Sequence, residues 1–361
     1  MTATQDEETV VATNGEVRVK VEDLKKLFPV GRGLFRPATD FVHAVDGISF
    51  EIRAGRSLGL VGESGCGKTT TGRMLVKLED LTEGKVLIRD EETGEMLDVT
   101  EITSREDRKE FRRNVQMIFQ DPYESMNPRR TIYDVIAEPL MVHRLGTTQE
   151  REKRVLDLLR LVGLTPPEPF LFRYPHELSG GQRQRVAIAR ALVMEPSFVV
   201  ADEPTSMLDV SIRISIMELM LDLATKLGVT YLYITHDLAV ARYMCDQIAV
   251  MYLGKIVEMA PTEDLLENPM HPYTRALLSA VPVPDPSYER PPVQIEGGVA
   301  RAINPPDQCR FIQRCPFAED ICATAHPPLY DRGGGHLVAC YLVDENGNWT
   351  GPSRAKLELR S

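Results

Sequence analysis

One octapeptide constrains this chain more than any other stretch. Gly62-Glu63-Ser64-Gly65-Cys66-Gly67-Lys68-Thr69 fits the pattern G-x-x-x-x-G-K-[ST] in full. It follows the compact apolar run Ser57 to Val61 and precedes a helical pattern with Met74, Leu75 and Leu78. The local order is therefore strand, loop, helix. Glycines at these places let backbone N–H groups wrap phosphate oxygens. Lys68 would neutralise the outer phosphates, and the Thr69 hydroxyl would ligate Mg²⁺. The helix N-terminus adds partial positive charge, and Thr70 is counted with the loop as a phosphate-site residue. Cys66 fills the loop, with a reactive thiol as the lesser alternative. A chance glycine-rich turn would lack the flanking strand and helix.

The surrounding pattern predicts an α/β fold. Val17-Val19-Val21 and Ile48-Phe50-Ile52 alternate as half-buried strands do. Val155, Leu158, Leu159 and Val162 form one helical stripe, and Ile212, Ile216, Leu219 and Leu223 form another. Short β-prone runs at Phe198 to Ala201 and Val229 to Thr235 lie between helical stretches. Such alternation implies a mostly parallel sheet covered by helices. Leu253-Gly254 sits between two further apolar runs as a hairpin turn. Residues 282 to 305 are rich in Pro and Gly and read as a linker or extended arm.

Two more groups of residues carry chemistry. Phe198-Val199-Val200-Ala201 ends in Asp202 and Glu203. Beside a phosphate loop, Asp202 suits Mg²⁺ binding, and Glu203 suits a general base for the attacking water. Leu178-Ser179-Gly180-Gly181-Gln182 opens a helix with a serine cap and two glycines, exposing N–H donors to an anion. It lies far along the chain from the phosphate loop.

These residues together resemble the ABC (ATP-binding cassette) ATPase family, in the right order from residue 16 to about 265. Gly62 to Thr69 is similar to the Walker A loop, Phe198 to Asp202 to Walker B, and Leu178 to Gln182 to the family signature. Gln120 falls at the Q-loop position, Ser206-Met207-Leu208-Asp209 at the D-loop, and His236 at the switch histidine. The resemblance implies a P-loop core, with a RecA-like sheet plus an antiparallel β part, and a helical subdomain at about 126–190. It also implies ATP sandwiched between two subunits, each signature facing the other's Walker A loop. Gln120 would contact Mg²⁺ or water, His236 the γ-phosphate, and Asp209 the dimer interface. An adenine-stacking aromatic is implied too, with Phe35 and Phe41 as candidates.

The resemblance is closest to the oligopeptide/dipeptide importers. Phe119-Gln120-Asp121-Pro122-Tyr123, Tyr174-Pro175-His176-Glu177 and Asn268-Pro269-Met270-His271-Pro272-Tyr273-Thr274 carry it. The intact signature and Asp121-Pro122-Tyr123 are similar to that branch's F-type chain. A non-identical second ATPase subunit, two membrane permease subunits and an extracytoplasmic solute-binding protein are the implied partners. Some members of the branch carry nickel or sugars instead of peptides.

Cys309, Cys315, Cys322 and Cys340 form a C-x5-C-x6-C-x17-C segment. Its spacing is looser than common zinc or ferredoxin patterns, so spacing alone says only that four soft ligands share one segment. The importer branch is similar here too, which implies a [4Fe-4S] cluster, with zinc second and free thiols third. His326 and His336 could be zinc ligands, but four cysteines already complete a tetrahedron. The expected division is a tail over 1–15, a nucleotide-binding domain over 16–265 and a C-terminal, metal-holding extension over 266–361.

Composition narrows the alternatives. A formal net charge of −11 opposes long-range attraction to nucleic acid, which disfavours a soluble ABC ATPase working on DNA or the ribosome. No apolar run approaches the roughly 20 residues of a membrane-spanning helix. The acidic start, with Asp6, Glu7 and Glu8, does not read as a secretory signal. The expected location is the cytoplasmic face of a membrane, through partners.

Overall fold

Alternating apolar residues build two long strands at the start of the computed structural model, which describes residues 15–31, 39–281, 295 and 302–351. β1 (Val17–Val30) and β2 (Asp40–Arg53) pair antiparallel. Val19, Val21 and Leu24 are buried with Ile48, Phe50 and Ile52 in one apolar cluster. Phe35, the tail over 1–14 and most of the Pro/Gly-rich stretch lie outside the described residues.

β3 (Ser57–Val61) leads through the phosphate loop into α1 (Lys68–Leu75). β4 (Glu83–Arg89) and β5 (Met96–Asp98) then complete an antiparallel sheet of order β2-β1-β4-β5. α2 (Arg105–Asn114) feeds β6 (Val115–Ile118). A helical stretch follows: α3 (Pro122–Ser125), α4 (Ile132–His143), α5 (Thr148–Leu161), α6 (Glu168–Leu171) and α7 (Gly180–Leu192). Thr131, Thr147 and Ser179 open α4, α5 and α7 with reciprocal capping boxes, which satisfy backbone donors that a helix start leaves unpaired.

β7 (Phe198–Asp202), α8 (Val210–Leu227), β8 (Thr230–Thr235), α9 (Leu238–Met244) and β9 (Gln247–Tyr252) return to the sheet. β9, β3, β8, β7 and β6 lie side by side and parallel. β7 and β8 are buried along their whole length, as strands covered on both faces must be. The stripe on α5 is buried as its spacing requires, Val155, Leu159 and Val162 completely so. On α8 the core takes Ile216, Met217, Met220 and Leu223, while Ile212 and Leu219 are only partly buried. The buried face is thus rotated from the predicted stripe, because two methionines share it.

β10 (Lys255–Pro261) turns back on β9 through Leu253 and Gly254, with φ of 42° and 81°. Two successive positive φ values fit a type I′ hairpin. A Cβ on Gly254 would come 2.7 Å from the His43 carbonyl oxygen, so glycine is needed there. α10 (Thr262–Glu267) and α11 (Pro272–Ser279) follow.

The C-terminal segment is built into the same sheet. β11 (Tyr330–Asp331) pairs with β12 (Leu337–Val338), and β12 pairs with β10, giving the order β11-β12-β10-β9-β3-β8-β7-β6. Glu258 on β10 is fully buried. Its carboxylate accepts hydrogen bonds from the N–H groups of Met270 and His271 at 2.7 and 3.0 Å, and meets His336 Nε2 at 2.7 Å. Unmet buried donors cost about 1–3 kcal/mol each, so this carboxylate locks the start of α11 and β12 onto β10. The same contact engages Nε2 of His336. His326 Nδ1 faces the Arg310 N–H at 3.4 Å. Among the described residues, no helix is long and apolar enough to cross a membrane.

Candidate active site

The phosphate loop is preshaped. Gly67 has φ of 111°, and a Cβ there would stand 2.1 Å from the Ala44 carbonyl oxygen. Lys68 folds inward, with Nζ 2.6 Å from the Gly62 carbonyl oxygen and 2.9 Å from that of Glu63. Its ammonium is nearly buried and already solvated by the loop. Phosphate oxygens would therefore replace protein acceptors rather than water. Cys66 Sγ is 3.7 Å from Nζ, yet burial pushes the thiol above its ordinary pKa. It packs as a small apolar group.

At the end of β7 the two carboxylates separate. Asp202 is buried and accepts a hydrogen bond from the Thr69 hydroxyl at 3.1 Å. Burial pushes its carboxyl up, against that hydrogen bond and with the Glu203 charge adding to the rise. Glu203 takes φ of 44°, with its N–H bonded to the Ile234 carbonyl at 2.9 Å. A left-handed glutamate is strained, and the turn aims its carboxylate differently from that of Asp202. Glu203 Oε1 lies 3.0 Å from His236 Nδ1, and Gln120 Nε2 donates to Oε2 at 3.4 Å. Residues from the ends of three parallel strands thus converge beside the loop. The hard oxygen donors Thr69, Asp202 and Gln120 fit Mg²⁺, which keeps several waters and takes phosphate oxygens.

One cavity of about 1020 Å³ joins these groups. The loop from Glu63 to Thr70, Gln120, Glu203 and His236 line one part; Val30, Val42, His43, Leu253, Leu277, Ala302 and Ile303 line the rest. Among the described residues, no Phe, Tyr or Trp lines it. Phe41 is absent from the wall; its backbone N–H donates to Asn304 Oδ1 and its carbonyl accepts from the Asn304 N–H, both at 2.9 Å. Sequence reasoning missed Ala302, Ile303 and also Tyr273, whose hydroxyl accepts the Glu63 N–H at 2.9 Å. Asn268 to Thr274 stood out in the sequence, but nothing in its spacing signals contact with a loop 210 positions away.

The signature residues Leu178 to Gln182 do not line this cavity. Ser179 caps α7, its Oγ accepting the Gln182 N–H at 3.3 Å while Gln182 Oε1 accepts the Ser179 N–H at 3.0 Å. Gly181 lies tight against Ile212 of α8. Arg183 stacks over Tyr123 at 3.8 Å and donates to the Leu178 carbonyl at 2.6 Å, which ties the segment after Gln120 to the signature helix. Asp209 is exposed at the start of α8, beside exposed Met207 and Val210.

The ABC transporter family matches residues 45–206, and the oligopeptide/dipeptide transporter C-terminal region matches residues 257–322. The oligopeptide transport ATP-binding protein AppF of Bacillus subtilis (strain 168) is 45% identical over 335 residues, which is 92% of this chain and 99% of AppF. This chain belongs to the ABC transporter family. As an ABC ATPase it also resembles the di/tripeptide transport ATP-binding protein DppF of Pseudomonas aeruginosa (strain UCBPP-PA14). That protein is 44% identical over 332 residues, 91% of this chain and 99% of DppF. The ATP-binding cassette MJ0796, solved as a dimer in a post-hydrolysis state bound to ADP and Pi, matches with a TM-score of 0.58. It is 30% identical, over 68% of this chain and 98% of that one.

The placement of the four cysteines of this ABC ATPase does not by itself support the expected [4Fe-4S] cluster. Among the described residues, no group of three or more His, Cys, Asp or Glu is arranged to hold a metal ion. All four are free thiols. They are nonetheless neighbours: burial first, and then other members of the set, raise Cys309 to about 11 and Cys315 and Cys340 to about 12. The donor chemistry suits a soft metal.

Proposed function

We propose that this chain hydrolyses ATP to drive uptake of di- and oligopeptides, at the cytoplasmic face of a membrane. The observation that carries this is similarity to peptide-transport ATP-binding proteins along nearly the whole chain, including the C-terminal region. The partners are two permease subunits, an extracytoplasmic solute-binding protein and a second, non-identical ABC ATPase subunit, this chain being the F-type one. The division at about residues 15 and 265, with a helical subdomain at about 126–190, belongs to the same proposal.

In this reading Gly62 to Thr70 bind the phosphates, and Thr69, Asp202 and Gln120 hold Mg²⁺. The bound ion would neutralise charge on the β- and γ-phosphates. Glu203 takes a proton from the attacking water, and His236 meets the γ-phosphate. Leu178 to Gln182 present α7's N-terminal N–H groups to the partner's ATP, with Asp209 at the shared interface. Membrane vesicles carrying the complex and its binding protein should accumulate a labelled oligopeptide only with internal ATP. Uptake of nickel or a sugar with no peptide uptake would overturn the substrate, and co-purification with ribosomes in place of permeases would overturn the transport role.

The cysteine segment is proposed to hold a structural [4Fe-4S] cluster, with zinc as the second choice. Support comes from four neighbouring thiols, three of them buried and Cys315 partly so, whose proton loss a metal would drive. Anaerobically purified protein should contain about four iron and four sulfide per chain. Cys309→Ser should remove them and lower the melting temperature. One zinc per chain, or iron loss with unchanged melting, would contradict the assignment.

A further inference from the structure

Glu63, the second residue of the phosphate loop, is held from two sides by residues far along the chain. Its backbone N–H is bonded to Tyr273, as described. Its carboxylate is gripped by Arg314: Nη1 to Oε2 at 2.8 Å and Nη2 to Oε1 at 3.1 Å. This is the bidentate fork that only arginine makes well. The Arg314 side chain is 10% exposed. It lies 5.7 Å from the Tyr252 ring centroid, and Tyr252 in turn packs against Tyr273 and Phe311. Burial and aromatic packing thus hold Arg314 in place from a segment the phosphate-loop motif does not include.

The position of Glu63 makes this pair consequential. Its own carbonyl is one of the two that hold the Lys68 ammonium, and Glu63 lines the cavity. A free carboxylate there would repel polyphosphate. It would also offer Lys68 an internal anion in place of the phosphates, in a partly buried setting where charges are weakly screened. Arg314 removes both problems by taking up the charge and fixing its direction.

We propose that Arg314 is a positioning residue for ATP: it neutralises Glu63 and holds the phosphate loop open to the polyphosphate. The proposal rests on the reading of the nucleotide site and is independent of the transported solute. Arg314 touches no reacting atom, so its loss should appear in KM rather than kcat.

The test is steady-state ATP hydrolysis by the full-length chain in its complex. Arg314→Gln should raise KM for ATP about tenfold with kcat within twofold of wild type. Adding Glu63→Gln to that variant removes the orphaned carboxylate and should lower KM at least about threefold from that of the single variant. A role in packing alone predicts no such rescue. Unchanged KM in Arg314→Gln, or a double variant no better than the single one, overturns the proposal. Should Arg314→Gln fail to fold, Arg314→Lys keeps the charge but not the fork. A KM at least about threefold above wild type supports the proposal, and an unchanged KM overturns the positioning role of the fork.

Discussion

Glu203→Gln will lower ATP turnover at least about 100-fold while ATP affinity stays within about threefold of wild type. General-base catalysis is worth about 10²–10⁴ in rate, and an amide cannot take the water's proton. The geometry argues that little else changes. The amide can keep contacts with His236 and Gln120, which now sit at 3.0 and 3.4 Å from the carboxylate oxygens. The strained φ of 44° is a backbone property, held by the hydrogen bond to Ile234. The proposed phosphate binding rests on Gly62 to Thr69, to which no Glu203 side-chain hydrogen bond is made. Phosphate release and fluorescent-ATP titration on one preparation separate the two effects. Turnover near wild type would move the base elsewhere. Loss of affinity in proportion to turnover would make Glu203 a binding residue.

The parts of this site that the sequence made legible are those whose chemistry is local. Gly62 to Thr69 announces itself because a phosphate cradle needs glycines, a lysine and a hydroxyl within one turn. Asp202 and Glu203 are visible because an apolar strand must end before they can reach water. Their meeting with Gln120 and His236 follows from parallel strands, whose ends share one edge. The C-terminal contribution was not legible. Arg314 and Glu63 are 251 positions apart, and an arginine before a cysteine looks like any solvated charge. Ala302 and Ile303 sit in a stretch that reads as a linker, yet a bridge from Val42 to Ile303 draws it to the cavity wall. Of the two candidate aromatics, Phe35 lies outside the described residues and Phe41 is not on the cavity wall. That part of the strand pairs with Asn304, and its neighbours Val42 and His43 reach the cavity instead. On α8, equal spacing of Ile and Leu could not show that Met217 and Met220 would take the core.

Gly181→Asp separates the two phosphate-binding patterns of the chain. It should reduce turnover of the complex about 100-fold and leave ATP affinity at the chain's own loop within about threefold. A Cβ on Gly181 would lie 2.7 Å from Ile212 Cγ2, so even the first atom of the new side chain forces α7 and α8 apart. The new carboxylate would also bring negative charge to the start of α7, where a helix N-terminus favours an anionic ligand. Neither change reaches Lys68 or Thr69, because the signature is not part of the wall around them. If the signature served this chain's own nucleotide, affinity and turnover would fall together in the isolated subunit. If it serves the nucleotide on the partner's loop, the variant binds ATP normally and fails only in the assembled pair. Titration of the isolated subunit, set against phosphate release from the complex, decides between these outcomes. The second requires that one cassette alone cannot complete the reaction, so the signature's distance from the cavity becomes the physical reason for a dimer.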